Sequence, residues 1–159
     1  MARVLIATDG SDRAIGAART AMSLLAPGSD VTVLSVVDVR AEVAVGGTGL
    51  LGAEPLAMPM ADPTVAAELD EALTEGARDA VQRTVAALGA DGVQPQVVVA
   101  HGDPATEIVR VADDGDYDLV VVGSHGAGFL KRVLVGSVSN HVVHHATCPV
   151  LVVRGPDRG

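Results

Sequence analysis

Between Gly123 and Ser139 the chain reads GSHGAGFLKRVLVGSVS, with glycines at 123, 126 and 136 and hydroxyls at Ser124, Ser137 and Ser139. Two glycines three residues apart, directly after an apolar run, allow a backbone loop with several N–H groups turned inward. Gly136-Ser137 then opens a helical stretch, and a helix start favours a phosphate through its N–H groups and its positive dipole end. The spacing is G-x2-G-x9-G-S. It is neither the GxxxxGK[ST] P-loop nor the GxGxxG dinucleotide fingerprint. A second candidate is Thr8-Asp9-Gly10-Ser11, where a carboxylate meets another helix start. Asp9 is a candidate metal ligand, because magnesium takes a carboxylate together with phosphate oxygens.

Other reactive residues compete for attention. His141, His144 and His145 fall at i, i+3 and i+4, a spacing that can bind a transition metal. No carboxylate lies in that segment, and histidines near a helix C-terminus also favour the dipole and cap carbonyls, which is the preferred reading. Cys148 precedes a proline and reads as a small apolar residue rather than a nucleophile. His125 lies inside the glycine loop and is either a phosphate contact or an exposed loop histidine. Lys131 and Arg132 read as solvent-exposed. Phosphoryl transfer needs a group that positions the nucleophile and strong charge neutralisation. No residue offers the first, so no catalytic residue is assigned and slow hydrolysis at most is expected.

The charge distribution agrees with an anion site. The 159 residues carry 11 Lys+Arg and 20 Asp+Glu, a net −9. From Leu119 to Pro156 there is no Asp or Glu, while Lys131, Arg132 and Arg154 contribute +3, so the rest of the chain is strongly acidic. An acid-free stretch suits an anion, and it also suits buried strands and a buried helix; both readings stand. The overall acidity argues against coating nucleic acid or anionic lipid. One Phe, one Tyr and no Trp leave no base-stacking platform. The single cysteine implies no oxidising compartment, and the apolar stretch at the N-terminus is too short for a signal peptide or a membrane span. A cytoplasmic protein is expected.

The elements that must position these groups are legible in the hydropathy. Five β-branched runs, Val4 to Ile6, Val31 to Val37, Val97 to Val99, Leu119 to Val122 and Val150 to Val153, predict strands. All but the second are continuously apolar, as in parallel strands covered on both faces. Between them, Ser11 caps a helix with Ile15, Ala18, Met22 and Leu25 on its apolar side, ended by Pro27-Gly28. Leu69, Leu73, Ala77, Val81 and Leu88 mark a second helix ending near Gly89. Asp103-Pro104 opens a third through Ile108 and Ala112, and Ser137 a fourth to about His145, before Pro149. The order βαβαβαβαβ predicts a single-domain, doubly wound α/β sandwich. Residues 41–64, rich in Gly, Ala and Pro, read as a long loop, either a functional lid or a tolerated insertion.

In such folds ligands bind beyond the carboxyl ends of strands where the strand order reverses. Three further stretches complete the pattern: VLIATDGSDRA at the start, SVVDV at the second strand end and HGDPATEIV before the third helix. With DLVVVGSHGAGFLKRVLVGSVSNHVVHHATCPVLVV, they make the chain resemble the universal stress protein family along nearly its whole length. The G-x2-G-x9-G-[ST] spacing is that of the family's ATP-binding branch.

The resemblance implies a three-layer, adenine-nucleotide α-hydrolase-like fold with a five-stranded parallel sheet in order 3-2-1-4-5. It implies ATP as ligand, with Asp9 on the ribose and adenine side and Thr8 and Val36 beside the base. Gly123, Gly126, Gly136 and Ser137 would hold the phosphates, with Ser139 an added hydroxyl. Ala7 stands where some ATP-binding relatives have Pro. The resemblance also implies a homodimer paired through Val150 to Val153, an apolar edge that invites pairing. The expected function is a dimeric, nucleotide-responsive stress module. Its alternatives are a dimeric scaffold that does not use nucleotide, and a very slow ATPase.

Overall fold

The structure is a computed structural model that describes residues 1–38, 63–89, 92–124 and 135–154. Strands and helices alternate along the chain: β1 Arg3–Ala7, α1 Asp12–Leu24, β2 Asp30–Asp38, α2 Pro63–Gly89 and β3 Gln96–Gly102 come first. They are followed by α3 Pro104–Asp114, β4 Leu119–Gly123, α4 Ser137–His145 and β5 Val150–Val153. All pairings are parallel and the strand order is β3-β2-β1-β4-β5, as the family resemblance implied.

Alternation along each strand divides the core in two. Val4 and Ile6 of β1, Val31 and Val33 of β2 and Val121 of β4 face α1 and α2, through Ala17, Ala18, Ala21, Val81 and Leu88. Leu5, Leu34, Val120 and Val122 face α3 and α4, through Ile108, Ala112 and Val142. Strands lined with apolar side chains on both faces are what continuous apolar runs require, and β1 and β4 fit that reading. The continuous runs of β3 and β5 differ. These are the sheet edges, where Val97 is 46% exposed and Val150, Leu151 and Val152 are half-buried.

Helices α1 and α3 begin where a side-chain cap supplies an acceptor. Ser11 Oγ accepts from Ala14 N at 3.2 Å and starts α1, and Asp103 accepts from Thr106 N at 3.1 Å and starts α3 with Pro104 in its first turn. The buried seam of α1 is Ala14, Ala17, Ala18 and Ala21; of the expected apolar side Ala18 is buried, while Ile15, Met22 and Leu25 lie half-buried at the flank. Small residues there let the helix backbone approach the sheet closely. Helix α1 ends at Leu24, with Leu25 as its C-cap, ahead of the expected Pro27 stop. Helix α2 begins at Pro63, so residues 63 and 64 of the expected loop are helical; positions 41–62 of that loop lie outside the described residues. Leu69 and Leu73 are only half-buried, and α2 is anchored by its second half, Ala77 to Leu88. Among the described residues no helix is long and apolar enough to cross a membrane.

Candidate functional site

The first strand connects leftward to β2 and the fourth rightward to β5, so the strand order reverses between β1 and β4. Their register, Val4↔Leu119 through Ile6↔Val121, brings both carboxyl ends out side by side. Asp9 and Gly123 therefore flank the switch point, as a ligand site at this position requires.

On the β1 side, Thr8 N donates to Leu34 O at 2.9 Å, extending the sheet ladder into the turn. The turn is then held by a chain of hydrogen bonds whose polarity follows from its two ends. Gly10 N can only donate, and it reaches Thr8 Oγ1 at 3.0 Å. Ala80 O can only accept, and it takes the Thr84 hydroxyl at 2.9 Å. The remaining contact, Thr8 Oγ1 to Thr84 Oγ1 at 2.9 Å, must therefore run from Thr8 to Thr84. Thr84 is fully buried and Thr8 nearly so.

Gly10 has φ +71°, and a Cβ there would stand 2.5 Å from Ala80 Cα. Both the backbone conformation and the packing against α2 require glycine. The result is that Asp9 projects to the exposed side of a turn fixed from beneath. Its Oδ1 accepts from Ser11 N at 3.0 Å, so the carboxylate sits over the start of α1.

On the β4 side, Ser124 N donates to Val153 O at 2.8 Å, continuing the pairing with β5. Gly136 N donates to Ser124 O at 2.7 Å. Ser139 Oγ donates to Gly123 O at 2.5 Å. These bonds tie the first turn of α4 to the end of β4, with Ser124 and Ser139 both buried. Gly136 is the N-cap and provides no side-chain cap, and Asn140 N is bonded back to Gly136 O at 2.9 Å. The first-turn N–H groups of Ser137, Val138 and Ser139 precede that bond and have no i−4 partner within the helix. An anion placed at this helix start can accept from them.

The expected site residues thus divide. Asp9, Gly123, Gly136 and Ser137 meet at one end of the sheet, with Ser137 exposed. Val36 is half-buried on the α3–α4 side, two residues beyond Leu34, the partner of Ala7. Thr8 directs its hydroxyl to α2, and Ser139 directs its own to Gly123, so both position the backbone. Gly126, His125, Lys131 and Arg132 lie outside the described residues.

Thr84 was not anticipated, and Ser124 was noted only as a hydroxyl of the glycine segment. For Thr84 the signal was a hydroxyl within the buried stripe Ala77-Ala80-Val81-Leu88, spaced as a helix face. The part Ser124 plays here is through its backbone, which bonds to Val153 O and Gly136 N. Among the described residues no group of three or more His, Cys, Asp or Glu could hold a metal ion. Burial pushes the Cys148 thiol up, and Asp113 and Asp118 add to the rise. The thiol is protonated at neutral pH, in keeping with a packing role. A cleft of about 780 Å³ lined in part by Arg19, Ser23, Asp30, Gln94 and Gln96 lies at the opposite end of the sheet, by the amino ends of β2 and β3.

Known proteins match this geometry. The universal stress protein family model matches residues 1–154. Universal stress protein YxiE of Bacillus subtilis is 33% identical over 152 residues, covering 96% of this chain and 98% of that protein. Universal stress protein MJ0531 of Methanocaldococcus jannaschii is 32% identical over 157 residues, covering 98% and 84%. The solved structure of MJ0577 superposes with a TM-score of 0.77 at 28% identity, over 98% of this chain and 97% of that one. The fold is also that of an Arabidopsis thaliana universal stress protein solved with AMP bound, at TM-score 0.64 and 19% identity, covering 98% and 94%. The family match runs from the first residue to Arg154, through both strand ends of the switch point, and the chain belongs to the universal stress protein family.

Proposed function

We propose that the chain binds an adenine nucleotide, ATP in the first instance, across the carboxyl ends of β1 and β4, and acts as a dimeric nucleotide-responsive regulatory module in the cytoplasm. One observation carries the reading. The start of α4 is tied to the end of β4 through Ser139–Gly123 and Gly136–Ser124, beside the Asp9 turn and inside a stretch free of acids. The family member solved with AMP bound supports the ligand class.

In this reading Gly123, Gly126, Gly136 and Ser137 receive the phosphates on backbone N–H groups, and Thr8, Ser124 and Ser139 hold that backbone in place. Val36 and Asp9 lie toward the base and ribose. Magnesium suits the donor set only as a nucleotide-bound ion. Asp9 supplies one carboxylate, and the other ligands would be phosphate oxygens and water; bound there, the ion would neutralise phosphate charge. Among the described residues no group is placed to orient an attacking water, and in this reading the module binds and releases rather than turning over efficiently. The half-buried edge strand β5, paired with β4 alone among the described strands, supports a homodimer through Val150 to Val153.

Purified protein tests the reading directly. Trp is absent and there is one Tyr, so co-purified adenine nucleotide should dominate the absorbance near 260 nm and be released on denaturation. Calorimetry should then show ATP binding to the stripped protein. No released nucleotide together with no binding would leave the scaffold reading of the same fold. Sedimentation should give twice the chain mass.

A further inference from the structure

We infer that the outer edge of β3, beneath an acidic flank of α2, is a docking site for an extended basic segment of a partner protein, which adds to the sheet as a further strand. Among the described strands β3 pairs with β2 alone. In a parallel sheet every second residue of such an edge strand turns both its backbone N–H and its C=O outward. Edges are ordinarily blunted by Lys, Pro or other charges. Residues 96–102, QVVVAHG, hold no Pro, Lys, Arg, Asp or Glu, and Val97 is 46% exposed. Val99 packs in the α1–α2 half of the core and Val98 in the other, so alternation puts Val97 and His101 on the α2 side.

Charge names the occupant. From Pro63 to Gly76, α2 carries Glu68, Asp70, Glu71 and Glu75, all exposed, and no Lys or Arg. Asp70 lies 3.8 Å from His101 Nδ1, which places this half of α2 over the carboxyl end of β3. Ala80 and Thr84 face the β1 turn. At about 100° per residue, Glu68, Glu71 and Glu75 therefore fall on the opposite flank, the one above the outer edge of the sheet. Arg78 shares that flank about two turns further on, toward the amino end of β3. On the other face of the sheet Arg110 is bonded to Glu107 at 2.8 Å and to Asp114 at 2.9 Å, so that cation is neutralised. A basic strand thus gains main-chain hydrogen bonds from β3 and attraction from α2. A second copy paired edge to edge would set two acidic α2 flanks side by side, where like charges repel.

A fluorescein-labelled peptide of about seven residues, alternating Lys and Val, tests the site on the full chain by fluorescence anisotropy. It should bind, and amide hydrogen exchange should slow across residues 96–102 and not at β5. A Glu-Val peptide of the same length, and a Lys-Val peptide N-methylated throughout, should both fail to bind. Glu71→Lys with Glu75→Lys should weaken the Lys-Val peptide by about tenfold and admit the Glu-Val one, an exchange of preference that loss of structure does not produce. Val97→Lys, which blunts the edge, should abolish binding, and far-UV circular dichroism checks that the variant folds. The proposal is overturned by no binding of the Lys-Val peptide, equal affinity for the Glu-Val or N-methylated peptide, unchanged binding in a folded variant, or protection at β5 instead. A sedimentation mass halved by Val97→Lys would place a second copy on this edge and overturn it as well. None of these readouts uses the Asp9–Gly123 site.

Discussion

Thr84→Val removes one hydroxyl from the base of the Asp9 turn while keeping side-chain shape. Thr84 has no exposed surface, and its Oγ1 accepts the Thr8 hydroxyl while donating to Ala80 O. Ala80 O lies within α2 and keeps its helical partner, so the group left stranded is the buried Thr8 hydroxyl. An unmade buried hydrogen bond costs about 1–3 kcal/mol. In a chain of this length each kcal/mol moves Tm by about 2–4 °C, so thermal melting should fall by roughly 2–12 °C. ATP affinity should weaken as well, because Thr8 Oγ1 also holds Gly10 N beneath Asp9. Thr84→Ser, which restores the hydroxyl, should recover both.

The polarity of the chain makes a sharper claim. In Thr8→Val the Gly10 N–H loses its acceptor, but Thr84 still donates to Ala80. Adding Thr84→Val to that background strands nothing further, so the double variant should melt with Thr8→Val alone. The coupling in the double-mutant cycle should then be about the whole cost of Thr84→Val, roughly 1–3 kcal/mol. Additive losses measured by differential scanning calorimetry would refute the Thr8–Thr84 hydrogen bond. A Thr84→Val protein with the melting temperature and ATP affinity of the parent would refute the tether itself.

Gly10→Ala should cost at least about 2 kcal/mol in urea unfolding, because strain at positive φ and overpacking against Ala80 add together. Ser139→Ala removes the bond to Gly123 O and should destabilise by about 1 kcal/mol, with weaker ATP binding by calorimetry. In the nucleotide reading Gly126→Val blocks close backbone approach to phosphate, and an unchanged ATP affinity in that variant would show the loop to be misassigned. Because the folded Cys148 thiol holds its proton more tightly than the unfolded one, its contribution to stability is complete below the ordinary thiol range. That contribution is lost as pH rises through the raised folded value. Iodoacetamide labelling of native protein at neutral pH should accordingly be slower than labelling of the denatured chain.

Much of this molecule is written in local patterns. The five β-branched runs and the Ser11, Asp103 and Gly136-Ser137 helix starts each sit where the structure puts them. Strand periodicity and capping are interactions within a few residues, which one sequence displays. The edges were less legible. Val97 to Val99 reads as a fully covered strand because apolar composition reports the faces of a strand and not whether both its neighbours are present. The α1 seam was misjudged because the large side chains flank it while alanines face the sheet. The start of α2 before Leu69 was missed because residues 64–68 are exposed and carry no apolar stripe.

For the candidate site, the sequence by itself determined the inventory: a G-x2-G-x9-G-S spacing after an apolar run, a Thr-Asp-Gly-Ser turn, and no acids from Leu119 to Pro156. Tertiary structure decided which of those residues face outward and which work as struts. Thr8 and Ser139 turn their hydroxyls to Thr84 and Gly123, partners 76 and 16 residues away, and His141 and His145 become a stacked pair through ring orientation. The physical reason is that spacing sets where a backbone goes, whereas the direction of a hydroxyl or a ring is chosen by whichever partner the folded chain brings within hydrogen-bonding reach.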